Sequence, residues 1–197
     1  MFYKILNYFK DTYMTWFNVV KFNYLDLNLK NIVFYVENSS DWEHLNPIIN
    51  SLLKRNQKIV RITSDPMDKL LKHQNGYYIG SSSARTYLFR TLVAKSIVMT
   101  LPDLNSFYLK KSLYPVHYFY VFHSIVSTHR NYREHAFDAY DTIFCVGEHH
   151  INEIRKTEKA YNLPKKKLVK HGYGRLDNLL EGVNKKIINK KKDASPH

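Results

Sequence analysis

Seven short apolar runs, set apart by segments of helical length, constrain this chain more than any other feature. They fall at 32–36, 58–62, 77–80, 96–100, 118–122, 142–146 and 167–170. Runs so short and so rich in β-branched and aromatic residues read as strands buried on both faces. Strands alternating with helices build βαβ units, and right-handed crossovers make such strands parallel. The expected fold class is α/β: a Rossmann-like parallel sheet flanked by helices, in one domain over 31–180.

The intervening segments carry helix signals. Asp41 stands where an N-cap belongs, ahead of apolar positions Trp42, Leu45, Ile48, Ile49 and Leu52; Pro47 offers an alternative start. Ser64-Asp65-Pro66 opens a short helix to about 72, Ser81-Ser82-Ser83 caps one over 84–94, and another covers 148–161.

Open parallel sheets bind ligands in the crevice outside the carboxyl ends of their strands. The run Tyr118-Phe119-Tyr120-Val121-Phe122 ends abruptly in His123-Ser124, which puts an imidazole and a hydroxyl at that edge. Imidazole is the side chain whose ordinary titration lies near neutrality, so His123 is the candidate general base and Ser124 a candidate substrate contact. The competing reading is a core histidine with one hydrogen bond. In the next segment, His129-Arg130-Asn131-Tyr132-Arg133 is a dense donor cluster in which Arg130 and Arg133 can grip phosphate. A solvated loop is the alternative.

Other chemistry is excluded or weakened. The first strand is followed by Glu37-Asn38-Ser39-Ser40-Asp41, so neither a dinucleotide fingerprint nor a Walker A loop is present. His149, His150 and Glu153 do not make a His-Glu-x-x-His pattern, and neighbouring histidines diverge on a helix; a solvated or capping pair is expected and no metal. The one cysteine, Cys145, sits in an apolar run and reads as a buried structural thiol in a reducing compartment.

Charge directs attention to anionic partners. Thirty Lys and Arg face 17 Asp and Glu, a net charge of +13, much of it in Lys165-Lys166-Lys167 and a basic tail over 183–197. No zinc-finger spacing, RNP-type signature or Arg-rich helix accompanies the charge, so no nucleic acid is expected. Residues 1–25 carry Phe2, Tyr3, Ile5, Leu6, Phe9, Tyr13, Trp16, Phe17 and Val20 at roughly helical spacing, with Lys4, Lys10 and Lys21 among them. That pattern suits an amphipathic interfacial helix on an anionic membrane surface, or a helix packed on the domain's own core. No run is long enough to span a bilayer, and no secretory signal opens the chain.

After the last strand comes Gly172-Tyr173-Gly174-Arg175-Leu176-Asp177, a strand-turn-helix corner in which Gly172 permits tight turning and Tyr173, Arg175 and Asp177 can mark a structural crossover. An apolar strand ending in His-Ser, the segment Tyr140-Asp141-Thr142-Ile143-Phe144-Cys145-Val146-Gly147, and this Gly-Tyr-x-Arg-x-Asp element stand in one order. In that order the chain resembles the N-terminal half of the CDP-glycerol glycerophosphotransferase family, the teichoic-acid polymerase type.

The resemblance covers roughly residues 31–180 and implies the acceptor-side domain of a GT-B fold, with His123 at the place of that family's proposed base. Phe122 and Ser124-Ile125 replace the family's Trp and Gly-Thr around it. The implied activity is transfer of glycerol phosphate from CDP-glycerol to a membrane-linked polymer in cell-wall or capsule biosynthesis, by a cytoplasmic enzyme peripheral on the inner face of the cell membrane. CDP-glycerol enters as donor substrate, with no cofactor. The family's donor-binding half would follow the Gly-Tyr-x-Arg-x-Asp element, yet the chain ends 20 positions after Asp177. That implies a fragment, a split subunit with a separate donor-binding partner, or a degenerate remnant. The alternative function is a non-catalytic membrane- or partner-binding domain.

Overall fold

The computed structural model describes residues 2–69, 75–176 and 179–180. Asp177 and the tail over 183–197 lie outside the described residues, as does the end of the helix expected to reach 72. In chain order the elements are α1 (Phe2–Asn23), β1 (Ile32–Val36), a 3-10 turn (Ser39–Asp41), α2 (Trp42–Lys54), β2 (Ile59–Thr63), β3 (Gly76–Tyr78), α3 (Ser83–Thr91), β4 (Ser96–Met99), β5 (His117–Val121), α4 (Thr128–Asn131), β6 (Thr142–Cys145), α5 (Glu148–Ala160) and β7 (Lys167–Lys170).

All seven strands form one parallel sheet in the order β3-β2-β1-β4-β5-β6-β7. This is the Rossmann-like architecture expected from strand–helix alternation. The chain leaves β1 toward β2 and β3, then returns to β4 on the other side of β1. The order therefore reverses between β1 and β4, and such a switch point opens a crevice at the strands' carboxyl ends.

Strand alternation splits the interior into two layers. Val33, Tyr35, Ile97, Met99, Tyr118, Tyr120 and Ile143 face a layer with Val19 and Phe22 of α1, Leu88 and Phe89 of α3, and Ile154 of α5. Phe34, Val36, Val98 and Val121 face the other way, onto Trp42, Leu45 and Ile49 of α2. Among the described residues α2 is the one long helix on that second side; β1 and β4 are buried on both faces as expected, whereas β5, β6 and β7 keep partly open positions. Phe119 of β5 and Phe144 of β6 lie past its edge, stacked on each other with ring centroids 5.8 Å apart and only half-buried.

Two expected caps are corrected. Ser82 occupies the N-cap of α3, yet its side chain makes no capping hydrogen bond. Asp41 occupies the N-cap of α2 in helical geometry (φ −70°, ψ −17°), again with no side-chain capping bond. The preceding 3-10 turn already supplies backbone partners, which frees the Asp41 carboxylate for the crevice. Pro47 lies inside α2 rather than at its start.

Candidate functional site

His123 lies two residues beyond β5, in the crevice at the switch point. A cavity of about 430 Å³ opens there. Glu37, Asn38 and Asp41 line it from the β1 side, Thr100 to Asp103 from beyond β4, His123 from β5, and Asn131, Tyr132 and Arg133 from the α4 segment. Ligand sites typically fill cavities of several hundred Å³ lined by a few convergent polar groups, and this one fits that description.

The tautomer of His123 follows from its partner. Nδ1 lies 3.2 Å from the Thr100 carbonyl oxygen. A carbonyl only accepts, so Nδ1–H donates and the neutral ring keeps its lone pair on Nε2. A backbone group thus fixes ring orientation and leaves the second nitrogen available as a base. Behind the strand end, Phe122 packs on the tilted ring of His150 with centroids 4.0 Å apart and edge-on against Tyr120 at 4.9 Å, anchoring the backbone that carries His123.

Asp41 and His44 come with it, and neither stood out as functional in the sequence. The His44 ring centroid is 6.1 Å from that of His123. Burial is the main force on His44 and holds its imidazole below the ordinary value; the neighbouring Glu43 opposes this and the His123 charge adds to it. Burial also pushes the Asp41 carboxyl up, against the pull of the Asn38 backbone, of His123 and His44, and of Thr100. The crevice wall therefore holds a carboxyl biased toward its acid form, and an imidazole biased toward neutrality packs beside His123. Titratable groups pushed apart by environment are a mark of functional sites.

Deeper on the β1 side, Arg85 of α3 donates from Nη1 to Glu37 at 2.5 Å and to the Tyr35 hydroxyl at 3.3 Å. Tyr35 meets Ser64 at 2.9 Å, and burial drives its phenol up to about 12. This network stiffens the crevice floor beside β1.

The expected site residues divide. Arg133 lines the crevice, its guanidinium 4.9 Å over the Phe107 ring. Arg130 is exposed and stands outside the lining. Ser124 is half-buried, its Oγ accepting from the Val126 amide at 3.2 Å, so it shapes the loop after His123 rather than the cavity wall. Tyr173 reaches the site directly: its hydroxyl donates to the His123 carbonyl at 3.2 Å and its ring stacks on His44 at 5.8 Å. Arg175 pairs with Glu43 at 3.4 Å. Gly172 takes φ +83°, the left-handed turn that glycine favours, and a Cβ on Gly174 would sit 2.8 Å from Pro47 Cγ of α2. The corner after β7 is thus pressed against α2 and against His123 together.

No family model, curated protein or solved structure matches this chain.

The histidine pair on α5 serves the same loop. His149 Nε2 donates to the Ile125 carbonyl at 3.2 Å, and His150 Nε2 to the Val126 carbonyl at 2.9 Å. Of the solvated or capping pair expected, His149 is exposed, while His150 is fully buried and its Nδ1 accepts from the Val146 amide ahead of α5 at 3.5 Å. Glu153 turns to Ser127 and Thr128, and no group of metal-ligating side chains forms among the described residues. Cys145 is buried and burial pushes its thiol up to about 12, as fits a structural residue.

Proposed function

We propose that this domain is the acceptor wall of a glycerophosphotransferase, moving glycerol phosphate from CDP-glycerol to a membrane-linked cell-surface polymer. One observation carries the reading: His123, held by the Thr100 carbonyl through Nδ1, lines the switch-point crevice with Nε2 left as its basic atom. The acceptor hydroxyl gives its proton to Nε2. Its oxygen forms the new bond to the glycerol-bearing phosphorus, the bond from that phosphorus to CMP breaks, and CMP leaves. Arg133 on the crevice wall steadies phosphate charge, and Arg130 adds positive potential at the approach. The donor is held opposite, by a second domain or a partner subunit. The setting is the cytoplasmic face of the cell membrane, where such acceptors lie.

The test is release of CMP from CDP-glycerol in the presence of lipid-linked acceptor, with His123→Ala beside the wild type. A fall of about a hundredfold or more supports the base role. Turnover within a few-fold of wild type removes it. A second reading, a non-catalytic domain that docks on a membrane or partner, draws on the exposed apolar side of α1; it gains if the wild type releases no CMP yet binds acceptor lipid.

A further inference from the structure

The aromatic residues of α1 separate into two opposite faces. Thr15, Val19 and Phe22 are fully buried, and Trp16 packs on Tyr87 of α3 with ring centroids 5.3 Å apart. Leu6, Phe9, Tyr13, Phe17 and Val20 are all at least half exposed, from 50% to 68%. At 3.6 residues per turn these five fall within an arc of roughly 80°, centred roughly 150° from the buried face. Packing on the domain accounts for one side of this helix and leaves a second, continuous apolar stripe in water. Stripes of this extent on a soluble surface mark an interaction site.

Charge decides what covers it. Lys10 and Lys21 are exposed and flank the stripe along one edge. The one acidic residue of α1, Asp11, is engaged by the Tyr78 hydroxyl at 2.8 Å. A second copy of this helix would bring more lysines and no free acid to meet them, an arrangement that opposes pairing. Anionic headgroups complement the lysines while the aromatics and leucine enter the acyl boundary.

The helix also has a direction. Phe22 meets Tyr77 at the start of β3, and Thr15 lies level with Gly80 just past its end, where a Cβ would be 2.9 Å from Thr15 Cγ2. So α1 runs antiparallel to the strands, and its turns before Thr15 extend about 15 Å beyond the carboxyl edge of the sheet. Residues 5–10 are all exposed. That is the edge on which His123 and its crevice open. No helix among the described residues is long and apolar enough to cross a bilayer, so the contact lies in the interfacial plane.

We infer that the outer stripe of α1, Leu6-Phe9-Tyr13-Phe17-Val20 with Lys10 and Lys21 beside it, is a docking surface for an anionic lipid bilayer and turns the crevice edge toward that bilayer. The docking stands on α1 alone; only the orientation rests on the acceptor reading of the crevice.

Flotation of the full chain on phosphatidylcholine vesicles, with and without phosphatidylglycerol, tests it. The wild type floats with the anionic vesicles and is partly released by salt. Phe9→Glu with Phe17→Glu cuts the bound fraction at least about tenfold with unchanged circular dichroism, because the buried face is untouched. Lys10→Glu with Lys21→Glu reduces binding only where phosphatidylglycerol is present. Should the double glutamate variant misfold, Tyr13→Trp in the wild-type background reports instead, its fluorescence being quenched by acyl-brominated lipid. A wild type that stays out of the anionic vesicles overturns the inference. So does a Phe9, Phe17 variant that floats undiminished, a Tyr13→Trp variant whose fluorescence stays unquenched, or a wild-type dimer that Phe17→Glu makes monomeric. None of these outcomes depends on CMP release, so failure of docking and failure of the transferase reading are separable.

Discussion

The hydroxyl of Tyr173 donates to the carbonyl of His123 across 50 positions of sequence, at 3.2 Å. Through it the corner after β7 holds the strand end that carries the candidate base, while the same ring stacks on His44. Tyr173→Phe keeps the stack and removes the donor. The expected loss is about 1 kcal/mol in urea unfolding, the net worth of one hydrogen bond in a half-buried setting. The crevice should also loosen, so amide exchange at 122–124 should quicken. Unchanged exchange would mean that the stack alone holds the corner.

Acid should destabilise the fold through its buried imidazoles. His44 and His150 are both held below the ordinary imidazole value of 6.5, first by burial. A folded value below the unfolded one means that the stability is fully present above the unfolded value and is lost as pH falls through the folded one. Urea midpoints should therefore fall between about pH 7 and about pH 5, and His44→Gln should flatten part of that fall. Asp41 works in the opposite sense. Its raised carboxyl favours the folded state below the ordinary carboxylate value, and that advantage is lost as pH rises through the folded value. An equal slope in wild type and His44→Gln would take His44 out of this account.

What the sequence made legible was the sheet and two residues of the crevice lining, His123 and Arg133. Each of the seven expected strands is present, because short β-branched runs between helical segments have few other solutions. His123 was legible because a polar pair ends an aromatic run, a local signal. Asp41 and His44 were not. Asp41 matches an N-cap in residue type and place, and only the helical backbone it adopts after the 3-10 turn diverts its side chain. His44 comes beside His123 only when the corner at 172–175 folds back onto α2, a contact between distant segments. The two faces of α1 were illegible for a related reason: aromatic spacing alone does not say which side meets the sheet.

Gly80 is the joint between α1 and the sheet. It takes φ +61°, and a Cβ there would lie 2.9 Å from Thr15 Cγ2. Gly80→Ala therefore meets both a strained backbone and a clash, and should cost about 1–3 kcal/mol. Since the clash is with α1, proteolysis within 2–23 should rise more steeply than global unfolding. Equal protection in both proteins would show that α1 absorbs the methyl group.

Glu153 tests how the loop after His123 is held. Its carboxylate accepts from Ser127 Oγ at 2.8 Å and from the Thr128 amide and hydroxyl at 2.6 Å each. Burial raises this carboxyl, but the bonds from Thr128 and Ser127 outweigh that, and the net effect is to hold it below its ordinary value. The stability it contributes is thus present above the ordinary carboxylate value and lost as pH falls through the depressed one. Glu153→Gln keeps the shape and removes the charge. Bonds to a charged acceptor are the stronger kind, so a loss of about 2 kcal/mol at neutral pH is expected, shrinking toward zero in acid. His149 and His150 still tether Ile125 and Val126 in that variant, so the segment at 127–128 should loosen first. Amide exchange at Thr128, faster than at Val126, is the sign to look for; a uniform rise across 124–131 would instead mean that the loop opens as one unit.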